Sequence, residues 1–510
     1  MLALFLPLFL VLLLIGVPVF FAMLVAPGLM LYLNGQERDV ALMYRNIFNG
    51  IDNGVLLAIP FFMLAGELMN RGGITERLVS FSQAIIGGVR GGLAQVNILS
   101  SMLFAGMSGS AVADTSALGS MLIPAMEKEG YTRRFAAAIT AASSVIGPII
   151  PPSGIMIIYA YVMEVSVAAL FAGGIVPGIL VGVGLMIVTR LMANRYEYPE
   201  TTRGVDTGQP ATAVESWGAR VLSILLVAWI AYEAFPEGWK AHTVSVGLSV
   251  LAALVVAGLL YHAFRRLADP AFRDVTKRAV LPLLTPLIIL GGILGGVATP
   301  TEASALAVAY ALVLGLVLLR SLKLSDLPDV FTRSAIASAV VLLLVGAAMA
   351  FKTVVSLSYA AETLAQWILT LTSDPLMLLL LINILLFVVG MFLDAGPAII
   401  ILGPILAPIF IRMGVDPVHF AMIMSVNLTV GLATPPMGLV LFVASSVSGE
   451  KVETISRAIL PFLAVEVLVI FLITYLPVIS LGVPSLLDWM GVEAFNNFAR
   501  DKDLWGPLFR

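Results

Sequence analysis

Gly147-Pro148-Ile149-Ile150-Pro151-Pro152-Ser153-Gly154 returns 284 residues later as Gly431-Leu432-Ala433-Thr434-Pro435-Pro436-Met437-Gly438. The match extends outward without a gap: Gly106, Gly119, Pro124, Gly130 and Pro177 recur as Gly390, Gly403, Pro408, Gly414 and Pro461. Both copies lie in apolar sequence. A proline removes a backbone donor and frees the carbonyl four residues earlier. Two adjacent prolines between glycines therefore break a helix and leave several carbonyls open. Irregular backbone at membrane depth is tolerated only where it is buried in protein or faces water. Interrupted hydrophobic segments in matching positions of two halves point to a transporter's binding site.

Composition agrees with a membrane setting. Of 510 residues, 60% are hydrophobic and only 12% are charged, unlike an ordinary soluble domain. Apolar runs long enough to cross a bilayer fall near 3–32, 53–70, 135–162, 168–192, 219–235, 243–262, 280–298, 302–320, 334–351, 420–447 and 458–478. The first lacks a basic leader and reads as a retained spanning segment, with cleavage near Ala26 the alternative. Two further apolar stretches, 93–127 and 376–411, hold glycine and proline near their middle and read as re-entrant hairpins. An amphipathic piece flanks each, Ile74–Ile86 and Val354–Leu369. The expected fold is an all-α polytopic membrane protein with no β-barrel pattern. Cysteine is absent, which excludes disulfides and thiolate metal sites.

Charge orients the chain. With the N-terminus in the cytoplasm, only Arg38, Arg45, Lys240, Lys352, Arg412, Arg500, Lys502 and Arg510 lie outside, leaving 20 of the 28 Lys and Arg residues inside. That is the bias of cytoplasmic loops. An odd number of crossings then separates Phe135 from Phe420, so the repeats are inverted. The chain divides into a first repeat over 1–195, an insertion over 196–279, a second repeat over 280–480 and a tail over 481–510. The insertion opens with the polar run Glu197–Gln209 and reads as two extra helices packed on the scaffold or a partner.

The chemistry concentrates at the hairpins and breaks. The first hairpin carries Gly106-Met107-Ser108-Gly109-Ser110-Ala111-Val112-Ala113-Asp114, the second Gly390-Met391-Phe392-Leu393-Asp394-Ala395-Gly396-Pro397. A carboxylate at membrane depth costs roughly 2.5–3.5 kcal/mol on insertion scales, so Asp114 and Asp394 need a purpose. A bound cation supplies one; capping a half-helix is the competing reading. Carbonyls freed at the breaks suit a hard cation such as sodium, and the half-helix that follows suits an anionic group. Glu302, after Thr299, reads as a helix cap, Glu67 and Glu164 as segment ends, and His242, His262 and His419 as interface residues. No phosphate loop, HExxH or GxSxG motif is present.

The stretches Gly72–Arg77, Gly106–Gly119, Ser144–Gly154, Ala298–Ser304 and Gly431–Gly438 resemble the large membrane subunit of TRAP transporters, the tripartite ATP-independent periplasmic family. The resemblance covers about 1–195 and 280–480. It implies an elevator-type importer of the bacterial inner membrane, driven by Na+; the charge reading puts the C-terminus in the periplasm. It implies a small four-helix membrane subunit, a periplasmic substrate-binding protein and an organic acid such as a dicarboxylate or sialic acid; nucleic acid is not a partner. Carried across, Ser108, Ser110, Asp114 and the break including Gly147 and Pro151 would line one sodium site. Asp394, Gly396, Asn427, Thr429 and Thr434 would line the other, with substrate near Ser110, Ser153 and Thr434. A stand-alone sodium–anion symporter or ion exchanger of the same architecture would show the same repeat. A non-transporting membrane scaffold or receptor is the reading from another class.

Overall fold

The repeat found in the sequence is a repeat of helices. A computed structural model describes residues 5–195, 212, 215–221, 269–359, 366 and 374–486. In the first half, α6 (Gly92–Ser108) and α7 (Ala111–Lys128) form a hairpin. Then come α8 (Arg133–Ser144), an irregular break, α9 (Gly154–Met163) and the long α10 (Val167–Arg195). In the second half the corresponding elements are α14 (Pro375–Phe392), α15 (Ala395–Arg412), α16 (Pro417–Gly431), α17 (Leu439–Ser448) and α18 (Val452–Tyr475). Adding 284 to the bounds of α7 gives the bounds of α15. The halves interlock: α15 packs on α9, α17 packs on α7, and α18 packs on both α8 and α10. Together α6–α10 and α14–α18 form one interwoven unit, completed by α19 (Val478–Leu486), which lies against α10.

The remaining helices form a frame beside it. They are α1 (Phe5–Leu14), α2 (Val19–Leu33), α3 (Glu37–Ile51), α4 (Ala58–Arg71), α5 (Ile74–Ile86), α11 (Pro270–Leu294), α12 (Pro300–Leu312) and α13 (Leu327–Leu357). Helix α3 packs along α13, and α4 packs on α12 and α13. Among the described residues, seven helices are long and apolar enough to span a membrane.

Several expectations change. The stretch 3–32 is not one spanning helix. Gly16 adopts a left-handed φ of 91° and Pro18 precedes α2, so α1 and α2 fold back on each other. Phe5 and Phe9 of α1 pack on Phe351 with ring centroids 5.4 Å apart. Helix α3 was not expected; its apolar side, including Met43 and Ile47, faces α13. Val354–Leu357 continues α13 rather than opening a separate arm, and most of 358–369 lies outside the described residues. The tail begins as helix, since 481–486 belong to α19. His419 is buried, with its ring nitrogens 2.7 Å from Ser480 Oγ and 3.2 Å from the Thr474 carbonyl, not at an interface. His242, His262 and nearly all of the spans 219–235 and 243–262 lie outside the described residues.

Part of the insertion is described and docks on the frame. Arg77 of α5 pairs with Glu215 at 3.2 Å, and Glu215 is only 2% exposed. The cap expected at Glu302 is present: Thr299 and Glu302 exchange hydrogen bonds at the start of α12.

Candidate functional site: two hairpin tips and two broken helices

The first hairpin turns at Gly109, whose left-handed φ of 60° brings it against the second break's counterpart in its own half: a Cβ there would lie 2.8 Å from the Pro152 carbonyl. A side chain at this turn would wedge hairpin and break apart. Ser110 follows as the N-cap of α7, its hydroxyl accepting from the Ala113 amide at 3.4 Å. Asp114 lies one turn further in and is fully buried. Ser108 donates its hydroxyl to Asp114 Oδ1, while Oδ2 has no hydrogen-bond partner. That oxygen faces the break: a Cβ on Gly147 would collide with it, and the Ser144 carbonyl lies 3.2 Å from the same point. Ser108, Asp114 and the Ser144–Gly147 backbone therefore converge. An acid oxygen left unpaired in a buried, low-dielectric position is costly unless a proton or a cation completes it.

The second hairpin is built differently. Asp394 is the N-cap of α15 and accepts from the Ala395 amide at 2.8 Å. Its repeat counterpart is Ser110, whereas the counterpart of Asp114 is Ala398. The two acids are thus not equivalent. Asp394 stands at a hairpin tip, and Asp114 stands behind one. At the second break Thr434 donates to the Val430 carbonyl at 2.9 Å and is buried. Close packing makes this half possible: a Cβ on Gly431 would lie 2.6 Å from the Cα of Gly390.

A cavity of about 350 Å³ joins the tips and the breaks. Ser108, Ser110, Pro152, Gly154, Asp394 and Gly396 contribute its polar and backbone wall. Ile59, Phe62 and Met63 of α4 and Val340, Val341 and Leu344 of α13 close it from the frame. No Lys or Arg is among its lining residues. Ser153 lies next to it, fully buried, as the N-cap of α9.

Of the residues expected to hold the second ion, Asp394 and Gly396 line the cavity and Asn427, Thr429 and Thr434 do not. Asn427 donates to Asn383 Oδ1 at 2.6 Å and to the Ile423 carbonyl at 2.8 Å, fastening α16 to α14. Thr429 donates to Ser425 of its own helix at 2.6 Å. Asn427 Oδ1 is left buried without a hydrogen-bond partner. The first half has a similar clasp, with Asn97 donating to Thr140 at 2.7 Å and accepting from Ser143 at 3.1 Å. Asn97 and Asn383 were not singled out from the sequence, although an asparagine inside an apolar run is a visible signal. Glu466 of α18 was also missed; it is fully buried, and neither carboxyl oxygen has a hydrogen-bond partner.

Comparison with known proteins places this geometry. The family model described as "Tripartite ATP-independent periplasmic transporter, DctM component" matches residues 6–268 and 261–479. The sialic acid TRAP transporter large permease protein of Vibrio cholerae is 35% identical, over 92% of this chain and 95% of its own length. The C4-dicarboxylate TRAP transporter large permease protein of Pseudomonas aeruginosa is 34% identical, over 88% of this chain and 89% of its own. Among solved structures, the YdaH transporter of Alcanivorax borkumensis shares the fold at a TM-score of 0.54 and 17% identity, covering 88% of this chain and 90% of that one.

Proposed function

We propose, because the chain belongs to the DctM component family of tripartite ATP-independent periplasmic transporters, that its paired hairpins and breaks carry sodium and a small organic acid across the membrane together. The chain is a multi-span large permease subunit and not an enzyme. The observation that carries the sodium reading is the unpartnered Oδ2 of buried Asp114, aimed at the backbone of the Gly147 break. One carboxylate, one hydroxyl and backbone carbonyls suit a monovalent hard cation. No group of three or more Asp, Glu or His that could hold a metal ion occurs among the described residues. Ser108, Asp114, Gly147 and the carbonyls up to Pro151 would hold one ion. Asp394, Gly396 and Thr434 would serve a second, while Asn427 and Thr429 support it from behind through α16.

The substrate would occupy the cavity between Ser110, Ser153 and the tip of the second hairpin. Both relatives named above carry organic acids by name, which supports an anionic substrate. Without a Lys or Arg in the wall, its charge would be met by hydroxyls, helix N-termini and the adjacent sodium. Such a site binds weakly, so a periplasmic binding protein would deliver the substrate and a small membrane subunit would brace the frame. The interwoven unit α6–α10 with α14–α19 would move as an elevator against α1–α5 and α11–α13, in the bacterial inner membrane. The charge bias puts the mouth of the first hairpin in the cytoplasm and that of the second outside, with the C-terminus periplasmic.

The test is reconstitution. Proteoliposomes holding this chain and its small subunit are expected to take up organic acid only when the binding protein and sodium are added outside. Saturable uptake by this chain alone would replace the reading with the stand-alone symporter.

A further inference from the structure

Two side chains far from the hairpin tips tie the interwoven unit to the frame at one face. Lys352, in the last two turns of α13, donates from Nζ to the Val162 carbonyl at 2.9 Å and pairs with Glu164 at 3.2 Å. Tyr161 donates its hydroxyl to the Gly50 carbonyl, in the last turn of α3, at 2.7 Å. Both contacts grip the end of α9. The last carbonyls of a helix lack internal partners and carry partial negative charge, and Lys352 satisfies one of them. Glu164, the C-cap of α9, has a left-handed φ of 60° and is 82% exposed, so its ion pair contributes little in water. The carbonyl is the firmer anchor.

The two grips act from one rigid support. Asn46 of α3 donates to Thr353 of α13 at 2.8 Å, and a Cβ on Gly50 would lie 2.6 Å from Met349. Helices α3 and α13 are therefore closely fastened beside both contacts. A cavity of about 580 Å³ opens beside α9, with Ala160, Tyr161 and Glu164 in its wall. At the substrate cavity the same two units meet largely through apolar side chains such as Phe62 and Leu344, which slide more readily than hydrogen-bonded ones.

We propose that Lys352 and Tyr161 are positioning residues that latch α9 to the α3–α13 pair and hold this face closed, so that movement of the interwoven unit requires both to release. This rests on the transport reading for its purpose but not for its test. The chain has no cysteine, and Val162 is fully buried and outside the wall of that cavity, so Val162→Cys is a single buried reporter at the latch. In detergent, without substrate or sodium, its maleimide labelling rate is expected to rise about tenfold in Tyr161→Phe/Lys352→Gln, the effect of losing one or two net hydrogen bonds. Lys352→Arg, which keeps charged donors, is expected to label nearly as slowly as the parent. An unchanged rate in the double variant would overturn the latch, as would a rate in Lys352→Arg equal to that of the double variant. If the double variant does not fold, Tyr161→Phe alone is expected to raise the rate about threefold, and no rise overturns the proposal. A failure of uptake in reconstitution would leave these rates unaffected, so the two readings fail separately.

Discussion

At the scale of single residues, Asp114 and Asp394 look alike in the sequence and differ in their surroundings. Asp394 has a backbone amide to cap and a cavity to face. Asp114 has Ser108 on one oxygen and nothing on the other. Asp114→Asn is therefore expected to lower the apparent sodium affinity of uptake by at least about tenfold, the worth of one charge-assisted contact. Gly147→Ala, which drives a methyl onto the same oxygen, is expected to do likewise. Sodium titrations of uptake in proteoliposomes check both, and an unchanged sodium dependence in both would make Asp114 a purely structural acid. That the acids are not repeat-equivalent was legible, because position 398 is alanine; it needed residue-by-residue comparison rather than a search for one acid per hairpin. Glu466 is the opposite case. Its counterpart, Gly182, carries no side chain, so nothing in the repeat requires an acid there. A buried carboxyl without partners costs about 1–3 kcal/mol. Glu466→Met is expected to raise the melting temperature of the purified chain; a clear fall would mean that the acid holds a cation.

At the scale of elements, glycine and proline spacing exposed the hairpins and breaks because these residues act locally. A Pro-Pro pair flanked by glycines, as at 147–154 and 431–438, interrupts a helix by local chemistry alone. The elements that were misread depend on tertiary context. The Gly16–Pro18 turn could have been a kink, and only the seat of Phe5 and Phe9 on Phe351 decides that α1 turns back. Helix α3 mixes its apolar residues with Glu37, Arg38, Asp39 and Arg45 and so does not read as a span, yet its one apolar side matches α13. The clasps at Asn97 and Asn383 join helices far apart in the chain, so spacing could not show them. Close backbone approach is likewise invisible until two glycines meet. Gly431→Ala places a methyl against Gly390 and must push α14 off α16. Overpacking of this kind costs about 1–3 kcal/mol. The expected outcome is a lower melting temperature with uptake reduced, whereas Gly291→Ala, at a position with open space, is expected to leave both unchanged. Equal melting temperatures for the two variants would show that the second hairpin tolerates separation.

At the scale of the whole molecule, two interlocked halves explain why one chain can present similar machinery to both faces. Helices α7 and α15 share length and register, and each packs on the helix after the other half's break. The insertion between the halves does not interrupt this unit where it is described; Glu215 fastens it to α5 through Arg77. What the packing leaves to be measured is the sense of the two halves relative to the membrane. Lys128 ends α7 and Arg412 ends α15, 284 residues apart at matching positions. The excess of Lys and Arg in the loops on one side predicts Lys128 inside and Arg412 outside. With no native cysteine, Lys128→Cys and Arg412→Cys each give one reporter. An impermeant maleimide is expected to label Arg412→Cys in intact cells and Lys128→Cys only in inverted vesicles. Labelling of both from one side would mean parallel halves. Parallel halves would point both hairpin mouths to one face and leave the opposite face without a mobile gate, so alternating access around the shared cavity would fail with them.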